Sequence, residues 1–326
     1  MLGYLNKNKK AFMQMPFAWM FGLIVGAIIL FLAIYAAIQL GGVGKTEQDV
    51  ITSKDLGILL NPLEIGFETG KTTLLSLPKE TRIYSLCQKP DEYEEFGRQK
   101  FRISQQSFGK WSDTYLDVSF FNKYVFAPVP AEGKNFMIFS KPFEFPFKVA
   151  DLTFIIPLEK SYCFVNAPEN ITDEIHNLKL TENIKNVINK DLCGERETVY
   201  FSPSCAHSKP GYNTTVCLKE KTIYNSSGED SGFEGEALMY ARIFSEPILY
   251  ECQVNRIMAR VNTLIKLYEE KANFIAGRGC YSSLALDNFR LEIGAVIAEG
   301  SFMIKQTIPS MQNIKKNNEG ANCQLW

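Results

Sequence analysis

The hydrophobic pattern falls into three regimes along the chain, and each predicts a different kind of element. Residues 17–40 read FAWMFGLIVGAIILFLAIYAAIQL, an apolar run with no charge and with Gln39 as its polar exception. At 1.5 Å per residue this run is about 36 Å long as a helix, more than the roughly 30 Å hydrocarbon core of a bilayer. A tilted transmembrane helix over residues 15–41 is therefore predicted. Pro16 suits the first helical turn, where its missing N–H costs nothing, and Gly41 and Gly42 stop the helix on the far side. A cleaved signal peptide would have a shorter apolar core with small residues just beyond it, which Ala36 and Ala37 match poorly. Within the span Ala18, Gly22 and Gly26 recur four apart, a smooth stripe along which two helices can pack closely.

From residue 50 to about 165 the period shortens to two. TTLLSL, ETRIYSL, QKFRIS, LDVSFFNKYVFAP, KNFMIFS, LTFIIPL and SYCFV are short, rich in aromatic and β-branched residues, and separated by turn formers. They predict an antiparallel sheet or a sandwich of two. KTTLLSL, bounded by Gly70 and Pro78, is expected to form a hairpin with ETRIYSL. Pro142 and Pro146 demote their segment to an edge strand or a crossing loop. Over 171–190 the spacing of Ile171, Ile175 and Leu178 predicts a short helix with Thr172 as cap, and TENIKNVINK predicts a second with Thr181 as cap. Residues 193–235 read as a cysteine-pinned loop region with short strands TVYF, TTVCL and TIYN.

The last third is helical. Ser245 caps a helix with Glu246 and Pro247 in its first turn, and Val254, Ile257, Val261, Leu264 and Tyr268 form a seam of alternating three- and four-residue steps. It ends near Ala276 at GRGC. A second helix starts near Ser282 and Ser283, buries Leu286, Phe289, Ile293, Val296 and Ile297, and continues towards Met311. Together they predict an αα-hairpin with arms roughly 40 Å long. The fold class is α+β: a cytoplasmic segment 1–14, a span 15–41, a β-rich extracytoplasmic domain 42–235, and a helical hairpin 236–326 with a Cys-tethered end.

Charge gives this order a direction. Lys7, Lys9 and Lys10 precede the span, whereas Lys45 is followed by Glu47 and Asp49, so the amino terminus is expected in the cytoplasm and the rest outside. Net charge is −1, from 35 Lys+Arg against 36 Asp+Glu, with no basic stretch suited to nucleic acid. GFETGKTTLLSL resembles a phosphate loop, but Gly66 precedes Gly70 by one residue too few and Ile65 stands where the glycine is needed. GVGKT has Gln39 at the corresponding place. Neither cofactor nor nucleotide is expected; the partners expected are the lipid bilayer and, through the helices, a second copy or another surface protein.

Eight cysteines (Cys87, Cys163, Cys193, Cys205, Cys217, Cys252, Cys280 and Cys323) all follow the span. An even number on the oxidising side reads as disulfides. Cys252 and Cys280 lie at opposite ends of one long helix, too far apart to pair. Cys323, returning to the base of the hairpin, is expected to bond Cys252, leaving Cys280 to reach the β region or stay free. An alternative makes Cys193, Cys205, His207 and Cys217 a zinc set, although no C-x2-C knuckle is present. Cys205 and His207 as a thiol–imidazole pair would have to overcome side chains that diverge at i and i+2. His176 sits on a polar helix, and the carboxylates of PDEYEEFGRQK read as a solvated loop. No HExxH, GxSxG or dinucleotide fingerprint occurs, so no catalytic site is nominated. Asn-x-Ser/Thr sequons stand at Asn170, Asn213 and Asn225.

Several stretches taken together, MPFAWMFGLIVGAIILFLAIYAA, FGRQKFRIS, SKPFEFPFKVADLTFI, YCFVNAPENITDEI, EALMYARIFSEPILYECQVNRIM and GRGCYSSLA, resemble an uncharacterised family of single-span membrane proteins from small-genome (DPANN-type) archaea. The resemblance covers most of the chain and implies its topology, with no activity attached. The expectation is a membrane-anchored extracytoplasmic structural or binding protein. The alternatives are a pilin-like surface-filament subunit, against which Gly41 and Gly42 end the helix early, and an extracytoplasmic hydrolase.

Overall fold

In a computed structural model, residues 19–37, 72–107, 109–112, 117–281 and 284–326 are described. The chain forms two compact units, Met1–Gln48 and Asp49–Trp326. In the first, helix α1 (Trp19–Ala37) is apolar throughout with none of its surface buried. Its 19 residues make a rod of about 28 Å, close to the hydrocarbon thickness. Gly22 and Gly26 have open space where a Cβ would lie. Ala18, the flanking Lys7, Lys9, Lys10 and Lys45, Gly41, Gly42 and the glycines of both phosphate-loop look-alikes lie outside the described residues.

The second unit is built on two sheets. The first comprises β1 (Thr72–Gln88), β2 (Arg98–Ser107), β3 (Lys110–Trp111), β4 (Val118–Phe120), β5 (Val125–Phe126), β6 (Ala131–Glu144) and β7 (Lys148–Pro157), in the order β3-β2-β1-β6-β7-β5 with β4 also on β2. The sheet is strongly curled. β5 lies three strands from β1 in the ladder, about 14 Å away in a flat sheet. Yet the Val125 carbonyl accepts from Ser85 Oγ of β1 at 3.1 Å, and its N–H donates to Gln99 Oε1 of β2 at 3.1 Å. Curling closes a small core on the concave side, where Ile83, Phe101, Ile103, Phe136, Ile138 and Ile155 are fully buried.

The expected hairpin of KTTLLSL with ETRIYSL is not formed. Thr72–Leu77 and Thr81–Gln88 belong to one strand, β1, and both halves pair with β6 across an irregularity between Ser76 and Thr81. Pro78 falls in that irregularity, where a missing N–H leaves no ladder bond unmade.

The second sheet holds β8 (Tyr162–Val165), β9 (Ile184–Val187), β10 (Glu197–Ser202), β11 (Thr214–Cys217), β12 (Thr222–Asn225) and β13 (Asp230–Gly232), ordered β13-β12-β11-β10-β8-β9. It is mixed and not antiparallel as expected: β9, β8, β10 and β11 run parallel. The helix expected in TENIKNVINK is strand β9, because its backbone completes the ladder beside β8. Its predicted partner survives as α2 (Glu169–Asn177), which buries Ile171 and Ile175; Thr172 lies inside its first turns and bonds the Pro168 carbonyl at 3.2 Å.

Helices α3 (Gly235–Ile243), α4 (Pro247–Ala276), α5 (Leu286–Glu299) and α6 (Ile304–Glu319) complete the fold. The other face of the first sheet (Phe126, Phe139, Phe143 and Phe154) joins α3, α4 and the second sheet's Tyr162, Phe164 and Phe201 in one core. Phe139 and Phe154 stack at 4.7 Å, and Phe244 meets both edge-on. Ser245 caps no helix start: its hydroxyl bonds the Ala241 carbonyl at the end of α3, and Glu246 is the N-cap of α4.

The expected second arm is broken. α4 and α5 run antiparallel, with Arg290 facing Glu269 at 3.6 Å and Asn255 donating to the Ile297 carbonyl at 2.7 Å. At Gly300 (φ 118°) the chain reverses, and α6 returns along α5, where Ser310 meets Glu292 at 2.7 Å. The return carries the carboxyl terminus back to the far end of α4. Leu325 is buried there, and Trp326 packs on Tyr268 and Phe147 with ring centroids 5.1 and 5.3 Å apart.

This reversal overturns the predicted Cys252–Cys323 bridge. Cys323 reaches the tip and bonds Cys280 (Cα–Cα 5.9 Å), while Cys252 near the base bonds Cys87 of β1 (Cα–Cα 6.0 Å). Cys163 pairs with Cys193 and Cys205 with Cys217.

Close backbone approach is required at Gly97, against the Gln88 carbonyl, and at Gly232. Gly232 of β13 lies against the turn after Gly300: its N–H donates to Ser301 Oγ at 3.0 Å, and a Cβ there would fall inside the Ser301 carbonyl. Gly232→Ala is therefore expected to cost about 1–3 kcal/mol or more, because rigid backbone must move. A shift of the urea midpoint with an unchanged slope checks it.

Candidate functional site

A cleft of about 960 Å³ opens between β6, α2, the start of α3 and α6. Strand periodicity builds its centre. Phe139, Lys141 and Phe143 share one face of β6, and both phenylalanines enter the main core. Lys141 is thus a lysine at an inward position, with its side chain 13% exposed. An ammonium so placed requires partners.

Two helices supply them. α2 turns Ile171 and Ile175 inward and Glu174 towards the cleft; α3 carries Glu236 in its first turn and Tyr240 one turn later. Lys141 Nζ bonds Glu174, and bonds Glu236 Oε2 at 2.6 Å. Tyr240 donates to Glu174 Oε2 at 2.8 Å and Asn170 to Glu236 Oε1 at 2.7 Å. Burial, helped by the Glu174 charge, pushes the Tyr240 hydroxyl far above its ordinary value, so it acts as a fixed donor. Burial also works to raise Glu236, but the bond and charge of Lys141, with Asn170, outweigh it and hold the carboxyl below its usual value.

The cluster ties a strand to two helices, and its polar atoms are largely spent on one another. Lys315 and Glu144 pair at 3.2 Å on the cleft wall, and Glu234 is held by Lys221 at 3.2 Å. With Asp173 also on the wall, the cleft is acidic overall. The arrangement can position cationic or hydrogen-bonding groups.

Comparison with protein-family models, with curated proteins and with solved structures found no match for this chain.

The candidate zinc ligands and thiol–imidazole pair lie elsewhere. Cys193, Cys205 and Cys217 are bonded to Cys163, Cys217 and Cys205, which removes the thiolates a zinc set would need, and His207 is exposed beside them. The same bond takes Cys205 out of any thiol–imidazole pair. Of the sequons, Asn170 enters the cleft, Asn225 bonds Glu229 at 2.7 Å, and Asn213 accepts from Thr198. Lys141, Glu174, Glu236 and Tyr240 were not legible as a group, since Glu236 lies 95 residues from Lys141. The one local signal is a lysine in phase with Phe139 and Phe143.

A pH dependence follows from Glu236. Its folded value is depressed, so the stability it contributes is full above the ordinary carboxylate value and is lost as pH falls through the folded one. Urea midpoints measured from neutral to acid pH are expected to fall less steeply for Glu236→Gln than for the parent.

Proposed function

We propose that the protein is an extracytoplasmic structural or binding protein held in a membrane by α1, with its amino terminus in the cytoplasm. The observation that carries the reading is the distribution of cysteines. All eight form disulfides, all follow an exposed apolar helix of membrane-spanning length, and such bridges persist in oxidising compartments. The lysines before α1 support the orientation. The archaeal origin that the resemblance implies is part of the proposal, as is the absence of catalysis. The acidic cleft and the exposed faces of the helices are the surfaces offered to a ligand, a second copy or another surface protein.

Protease added to intact cells or right-side-out vesicles tests this. The expected result is digestion of the region after residue 42, with a membrane-bound fragment that retains residues 19–37. Protection until lysis would reverse the orientation, and a mature chain that starts beyond residue 37 would make α1 a removed signal sequence.

A further inference from the structure

The three Asn-x-Ser/Thr sequons fold into different settings. In α2, Asn170 and Thr172 stand two positions apart on one helix, so their side chains point away from each other. Asn170 Nδ2 donates to Glu236 and the Thr172 hydroxyl to the Pro168 carbonyl. Asn213 precedes β11, and the hydroxyl of Thr215, a residue 1% exposed, accepts from the Lys209 N–H at 2.8 Å. Asn213 Oδ1 is taken by the Thr198 N–H and hydroxyl, both at 2.8 Å. At neither site does the sequon hydroxyl meet the amide.

At Asn225 it does. This half-buried residue ends β12, and residues 226–229 form an exposed turn into β13, with Gly228 (φ 87°) reversing the chain. Ser227 Oγ donates to Asn225 Oδ1 at 2.8 Å, and the Glu229 N–H donates to the same oxygen at 2.9 Å. Asn225 Nδ2 in turn donates to Glu229 Oε2 at 2.7 Å. Donors on the oxygen and a carboxylate on the nitrogen both ease loss of an Nδ2 proton. The other Nδ2 hydrogen bonds nothing among the described residues, so a substituent can replace it with all of these bonds kept. An exposed turn also opens at little cost to an enzyme that must grip it.

We propose that Asn225 carries an N-linked glycan and that Asn170 and Asn213 do not. The co-substrate is a sugar chain joined through phosphate to a membrane lipid. The bond from Asn225 Nδ2 to the sugar C1 forms, and the bond from C1 to the phosphate oxygen breaks. The lipid phosphate leaves with the bonding pair, and the amide proton passes to a base of the transferring enzyme. Such a donor resides in the bilayer that, in the proposed topology, also holds α1. The inference rests on the extracytoplasmic reading of the outer unit.

The test isolates the protein from native membranes without reductant and maps its peptides by mass spectrometry for sugar and for disulfides. The parent is compared with Ser227→Ala, Ser227→Thr and Ser226→Ala, all produced in the native host. The expected result is sugar on the Asn225 peptide of the parent, lost in Ser227→Ala and kept in Ser227→Thr and Ser226→Ala. The four disulfides should persist in every form, which separates loss of the sequon from loss of the fold. Bare Asn225 in a parent with those disulfides intact would overturn the proposal and leave the extracytoplasmic reading standing. Bare Asn225 with free thiols would overturn both. Sugar retained in Ser227→Ala, or sugar on Asn170 or Asn213 at the occupancy of Asn225, would also overturn the proposal, because the turn would then not select the site.

Discussion

Cys252→Ser is expected to destabilise the outer unit more than loss of any other bridge. The bond to Cys87 closes 165 residues and fastens β1 to α4. In the chain-entropy relation a loop of that length contributes about 5 kcal/mol, an upper figure because the bridges nested inside it already shorten the unfolded chain. Cys87→Ser should match it, and the double variant should be no worse than either single one. Cys323→Ser opens the 43-residue Cys280 loop instead and should cost about 1 kcal/mol less on the same relation. Its signature is local: release of Leu325 and Trp326 from the end of α4. Urea unfolding under non-reducing conditions separates the two. Were Cys252→Ser and Cys323→Ser to behave as one bridge, the three-helix ending would be wrong.

Arg256→Met is the second large effect. Arg256 of α4 is fully buried, and its guanidinium donates to the carbonyls of Phe96 (3.0 Å), Phe121 (2.7 Å) and Lys123 (2.8 Å) and to Gln253 Oε1 (2.7 Å). Burial pushes it down to about 10. Those carbonyls belong to the loops flanking β2 and β4, so one side chain from the helix holds the curled edge of the first sheet. Gln253 continues the network to Gln99 and to the Val125 carbonyl at 3.2 Å. Methionine fills much of the volume but removes the donor from all four acceptors, of which the bonds to the Lys123 carbonyl and Gln253 Oε1 are buried, at an expected cost of about 3–5 kcal/mol. Arg256→Lys should be intermediate, since an ammonium cannot reproduce the fork. A loss below about 1 kcal/mol in the methionine variant would show that water replaces the guanidinium and that the staple is not needed.

How far the sequence could be read depends on the range of each signal. The apolar run, the period-two segments and the seam of α4 are local patterns, and they appear in the structure in the predicted order. The failures occurred where distant neighbours decide. Ile184, Val187 and Ile188 have helical spacing, yet the segment is a strand because β8 offers it a parallel ladder; Ile188 is then left 86% exposed. β1 could not be read as one strand because its continuity depends on β6 lying along both halves. The cysteine pairing hinged on Gly300, a single residue whose positive φ turns α6 back. Lys141 carries no sequence signal beyond a charge inside an apolar segment, which is itself the mark of a buried polar site.

Extracytoplasmic placement and the reversal at Gly300 are both read out by the oxidation state and pairing of the cysteines in the native membrane. Membranes quenched in acid, alkylated without reductant and then mapped as non-reduced peptides should show no alkylated cysteine. Linked peptides should join Cys87 to Cys252, Cys163 to Cys193, Cys205 to Cys217 and Cys280 to Cys323. Free thiols at these positions would contradict an extracytoplasmic domain, and a Cys252–Cys323 peptide would contradict the reversal at Gly300.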